Sequence, residues 1–229
     1  MNQPRAGDLT NRESMTVGIA AAVYILAWLV GLGIAFSYPA SDASPKTWAD
    51  YLTAHQELVT LQEYLIHGLA AIALVIFAAG VRAVLVRSGA SRLFTDIAFG
   101  GALAAASVSL VQASVGQVLA TKAGPSGDAA LVTALLGVDN QADTYKLLGL
   151  ILLVVSASLA LRAVRAVPAW VLWGGIIVGV LLLLGSWSFP INFAALGLAL
   201  DLSLLGLLGW VGVVAFYLVR ASAPRSAAV

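Results

Sequence analysis

Apolar positions along the chain fall into six long runs, with the polar residues gathered between them. The runs cover about 16–36, 60–81, 97–120, 144–161, 167–187 and 194–219, each near the roughly 20 residues that a helix needs to cross a hydrocarbon core. In lipid every backbone N–H and C=O must be paired within its own segment, so the runs predict helices. The alternating apolar and polar dyads of a membrane barrel are absent. The expected fold is all-α, a polytopic membrane bundle of six transmembrane helices. It forms one domain over 16–220, between short tails at 1–15 and 221–229. The first run is longer than a signal-peptide core and reads as a retained helix.

Two connections are long. "SPKTWADYLTAHQEL" offers Ser44 as an N-cap and Pro45 at the first helical position, then Trp48, Tyr51, Leu52 and His55 at helical spacing. That pattern predicts an amphipathic helix over 44–58, lying at the interface and running into the second span. "AGPSGDAALVTALLG" predicts a turn at Gly124–Gly127 and a short helix over 128–137, stopped by Gly137.

Charge gives the bundle a direction. Arg5, Arg12, Arg82, Arg87, Arg92, Arg162, Arg165, Arg220 and Arg225 fall on one side of the six spans. Lys46, Lys122 and Lys146 fall on the other, with Asp42, Asp50, Glu57, Asp128, Asp139 and Asp143. Basic residues in short loops stay inside, so both termini are expected in the cytoplasm and the protein in the plasma membrane. The chain is 61% hydrophobic and 10% charged, less than half the charged share of a soluble domain. Its net charge of +1 names no partner, and nothing suggests nucleic acid. The bilayer is the expected partner, with a membrane-protein partner or a second copy as further options.

Depth then isolates a polar layer. At 1.5 Å per residue, His67, Gln112 and Asp201 lie roughly 10–12 Å below the lysine-bearing surface. Lys146 enters the fourth run about one turn down, with Asp143 at i−3, and Glu63 stands at i−4 from His67. Gln117, further out on the third run, completes the set. Gln112 shares a stripe with Gly101, Ala105, Ser109 and Gly116, and Asp201 shares one with Ala194, Gly197, Gly209 and Gly212. Small-residue stripes usually mark helix contacts, so Asp201 is expected to point into the bundle toward His67, Gln112 or Lys146. Each of these residues also has a plain structural reading, as a hydrogen bond or ion pair between helices. "GIIVG" at Gly175–Gly179 reads as a packing motif.

Much chemistry is excluded. There is no cysteine, hence no disulfide and no thiolate metal site. His55 and His67, about 18 Å apart along a helix, cannot ligate one haem. No metal ligand set, P-loop or nucleophile elbow occurs, and no cofactor is expected. "LVQASVGQVLA", "NQADTYKLLGL" and "VPAWVLWGG" give the chain a resemblance to uncharacterised six-helix bacterial integral membrane proteins of the domain-of-unknown-function type. The resemblance implies the topology and carries no activity. The expected role is that of a non-enzymatic accessory, structural or regulatory membrane protein. The alternatives are binding or transport of a small ligand, proton-coupled or lipid-like, at a polar pocket around Asp201, and a lipid-modifying enzyme using His67, Glu63 and Asp201.

Overall fold

The computed structural model describes residues 11–35, 37–40, 43–189, 191 and 193–222, and these are helical apart from short connections. Helix α1 spans Asn11–Ala35 and α2 spans Pro45–Ala54. Helix α3, Gln56–Arg87, has a π-helical segment at Tyr64–Leu69, and α4, Arg92–Ser126, has one at Leu119–Ala123. Helices α5, α6 and α7 span Ala129–Ala163, Ala169–Ser186 and Ala194–Ser222. All but α2 are long and apolar enough to cross a membrane, which gives the six expected spans.

Those six close into a ring. Each packs on the next along the chain, and α7 returns against α1. The described arginines gather at one end, and α2 covers the other; we call these the arginine end and the capped end. At the arginine end Arg87 holds Glu13 through two bonds of 2.9 and 3.0 Å, and Arg82 pairs with Asp96 at 3.1 Å. The half of the core nearest this end is apolar around Phe77, Val81, Leu85 and Val214. There Trp210 Nε1 donates to the buried Ser158 Oγ at 2.9 Å, and the buried Thr95 hydroxyl donates to the Ser91 carbonyl at 2.9 Å.

The tightest contact joins α4 and α5. A Cβ on Gly101 would come within 2.6 Å of the Gly149 carbonyl, and one on Gly149 within 2.8 Å of the Gly101 carbonyl. Only hydrogen leaves room for this backbone approach, as small-residue stripes in membrane helices predict. Gly175 and Gly179 likewise face Ser158 and Val155 on α5, so "GIIVG" is a packing motif.

Three details depart from the sequence reading. Asn11–Met15, expected as tail, already belong to α1; the outermost tail residues lie outside those described. Ser44 does cap α2, accepting from the Thr47 amide at 3.1 Å, but His55 leaves helical geometry and separates α2 from α3. Gly137 does not end a helix: α5 runs unbroken from its Asp128 cap to Ala163. An interior glycine costs about 1 kcal/mol, less than breaking the hydrogen-bond ladder of a helix already anchored by Asp128 and by buried Val132. At 35 residues α5 is about 52 Å long, well beyond the hydrocarbon thickness, and its excess stands at the capped end. There α2 packs on it and on the π segment of α4, burying Ala49, Leu52, Val59, Leu119, Ala123 and Val132 together.

Gly137→Ala should therefore raise stability by about 0.5–1 kcal/mol, since nothing beyond the backbone of its own helix lies within 4 Å of the added methyl. Gly149→Ala should lower it by about 1–3 kcal/mol by forcing α4 and α5 apart. Thermal melting of both variants in detergent checks the pair, and a destabilising Gly137→Ala would mean that α5 is broken there.

Candidate functional site

Just beneath the α2 cap, a cluster of charged and polar side chains interrupts the apolar interior. It begins on α5, where Asp139, Asp143 and Lys146 repeat at i, i+4 and i+7 and so share a face. Lys146 is 4% exposed. It forms an ion pair with Asp143, lies 3.4 Å from His67 Nδ1 and stands 5.7 Å from the centre of the Trp28 ring.

His67 reaches this point from within the π segment of α3. A π segment inserts a residue into a helix and rotates the succeeding turns about the axis, and such insertions concentrate at functional sites. Lysine can only donate, so its approach makes Nδ1 the acceptor and directs Nε2 toward Glu63 Oε2, 3.8 Å away. Ser109 Oγ lies 3.3 Å from the same Nδ1. Glu63 rests against Gly116, where a Cβ would collide with its carboxylate. One turn along α4 the fully buried Gln112 donates through Nε2 to the Asp139 carbonyl, 3.1 Å. Above the cluster Tyr38 donates to Gln62 Oε1 at 3.1 Å. Burial, reinforced by the charge of Glu63, holds its phenol far above the ordinary tyrosine range, so it stays a donor.

A cavity of about 140 Å³ adjoins the cluster. Gln62, His67, Asp143 and Lys146 form its polar wall, and Trp28, Leu32, Phe189, Leu200 and Leu204 are among the residues of its apolar wall. It occupies the space where α1 and α7 diverge. Their close approaches at Gly18 with Val219 and at Gly212 with Ile25 both lie toward the arginine end.

Of the polar layer expected from sequence, the fold brings together His67, Gln112, Lys146, Asp143 and Glu63. The Gln112 stripe of Gly101, Ala105, Ser109 and Gly116 is buried throughout. Two members are not in it. Gln117 is exposed on the outside of α4. Asp201 is exposed on the outside of α7, with no polar partner among the described residues. The inward face of α7 is instead made of larger groups, Leu207, Trp210, Val211 and Val214, while Gly197 and Gly209 face open space. Counted from the arginine end, Asp201 stands about 31 Å along its helix, about the full thickness of a hydrocarbon core, so a bilayer centred on the apolar half would leave its carboxylate within reach of water and headgroups. Asp139, Trp28 and Gln62 were missed. Reading α5 as continuous through Gly137 would have placed Asp139 on the Asp143–Lys146 face.

Among the described residues no group of three or more His, Cys, Asp or Glu side chains is arranged to hold a metal ion. The chain is thus an all-helical protein, six of whose helices suit a membrane, with one buried polar cluster and an adjoining cavity. No family model, no curated protein and no solved structure matches it.

Lys146→Met should lower stability by about 3–5 kcal/mol, because it strands the Asp143 carboxylate beside an apolar group. Asp201→Leu should stay within about 0.5 kcal/mol of wild type, because no buried partner loses its bond. Melting of the two variants in the same detergent checks both, and a large loss in Asp201→Leu would return Asp201 to the cluster.

Proposed function

We propose that the protein is a non-enzymatic, multi-pass protein of the bacterial plasma membrane that binds a small amphiphilic molecule in the cavity beneath α2. Both termini are cytoplasmic in this reading and the capped end faces outward. The arginines support that orientation, since every described one lies at the end opposite α2. The observation that carries the binding reading is the two-sided cavity: an ammonium–carboxylate pair, an imidazole and an amide on one wall, and aromatic and aliphatic side chains on the other. Such walls suit a molecule with a polar end and an apolar body, as a lipid has.

Binding is favoured over transport by the arginine half of the bundle, which is closed by apolar packing and whose buried Ser158 and Thr95 hydroxyls bond within the protein. A transporter carries polar groups and broken helices to the midplane. The lipid-modifying enzyme loses support because Asp201 stands apart from His67 and Glu63. A purely structural reading retains one specific observation: Asp143, His67 and the Trp28 face all meet Lys146 from within the chain, so the cluster ties α1, α3 and α5 without a ligand.

Native mass spectrometry from mild detergent separates the two. Ligand binding predicts a discrete small-molecule or lipid adduct that disappears in Leu204→Trp, whose indole fills the cavity, with melting unchanged or raised. A wild type free of adduct supports the structural role. Orientation is checked with cysteines at Ser126 and Ser88: an impermeant thiol reagent on intact cells should label the first and spare the second. The reverse pattern would invert the topology.

A further inference from the structure

Four buried side-chain nitrogen or oxygen atoms among the described residues have no hydrogen-bond partner, and three of them are acceptor oxygens of one neighbourhood: Glu63 Oε2, Gln112 Oε1 and Asp139 Oδ1. Side-chain acceptors withdrawn from water rarely stay without a partner. Glu63 is 6% exposed and Gln112 fully buried, so bulk solvent does not serve them. The Gln112 amide is fixed by its own bond to the Asp139 carbonyl, which keeps its oxygen at that place. Glu63 is fixed against Gly116, one turn along the same helix.

Donors are scarce here. Glu63, Asp139 and Asp143 bring three carboxyl groups to a cluster whose fixed cation among the described residues is Lys146. That ammonium is directed at Asp143, His67 and Trp28, and no bond from it to Glu63, Gln112 or Asp139 occurs among the described contacts. His67 offers its Nε2 side to Glu63 at 3.8 Å, beyond hydrogen-bond range. Tyr38 spends its hydroxyl on Gln62. A single proton placed on either carboxylate would pair two of the three oxygens at most and leave the third without a donor.

We propose that Glu63, Asp139 and Gln112 form a binding site for a monovalent inorganic cation of the sodium class. Oxygen-only ligands suit a hard ion. The Born cost of dehydration rises with the square of charge, so a monovalent ion enters this low-dielectric place more cheaply than a divalent one. The site lies on the α4 and α5 side of His67, apart from the amphiphile cavity, and it holds whether or not that cavity takes a ligand.

The test is thermal melting of the purified protein in detergent at fixed pH and ionic strength, with sodium chloride replacing choline chloride. The expected result is a saturable rise of the midpoint, about 5–10 °C at one hundred times the dissociation constant. Asp139→Asn should abolish the rise, and Asp50→Asn, which alters an exposed carboxylate paired with Lys46, should keep it. Direct binding of radioactive sodium to wild type, competed by unlabelled sodium and not by choline, gives a second readout should Asp139→Asn fold poorly. Equal melting in sodium and choline, or a sodium response that survives Asp139→Asn, overturns the proposal. So does stabilisation by lower pH without any cation dependence, which would assign the missing charge to protons.

Discussion

An ammonium group taken out of water has to be met by acceptors in the directions of its own N–H bonds, and the upper half of this bundle is organised by how Lys146 meets that demand. Asp143, one turn before it on α5, supplies the charge. The second contact comes from α3, where a π segment turns His67 toward the ammonium. The third is the ring face of Trp28 on α1. Three helices are thereby fixed in rotation relative to one another. The fourth, α4, is fixed by backbone contact at Gly101 and Gly149, which sets Gln112 against Asp139. Replacing the lysine with an apolar side chain would leave the carboxylates behind, so the cluster stands or falls as a unit.

The α2 cap answers the same demand. A cluster of this polarity near the capped end is stable in one geometry only when water cannot compete freely for its bonds. Leu52 packs against Gly124, and Val59 and Val132 close the layer, so a small second core seals the polar groups from above. The aromatic side chains of Tyr38, Trp48 and Tyr51 stack edge to face over it, with ring centres 5.5–6.5 Å apart.

Much of this was legible in the residues. Six apolar runs became six helices long enough to cross a membrane, because run length, backbone hydrogen bonding and the missing dyads of a barrel leave a chain in lipid no other solution. The Gly101–Gly116 stripe was legible because small residues there coincide with a buried polar one. The same rule misled at Asp201: glycines and a carboxylate shared a stripe, yet α7 is held in place by its larger side, led by Leu207 and Trp210. A helix with bulky groups on one face and small ones on the other offers two candidate contact faces, and periodicity does not choose between them. Gly137 misled for a related reason, since a glycine's local penalty is readable while the packing that outweighs it is not. The π segments had no readable signal at all. The one in α3 carries His67, whose contacts with Ser109 and Lys146 come from α4 and α5, elements that its own stretch of sequence does not report.

The dry half of the bundle also acts on any ion that reaches the cluster. In a polarised membrane a charge that crosses the full potential gains about 2.3 kcal/mol per 100 mV. The potential falls mainly across the layers of low dielectric, here the packed core around Phe77, Trp210 and Leu85. The cluster lies on the far side of that layer from the arginine end. An ion arriving from the capped end would therefore traverse little of the field, and its occupancy would follow concentration on that side and not voltage. In that reading the same apolar packing that disfavours passage would also insulate the polar cluster from the membrane's electrical state.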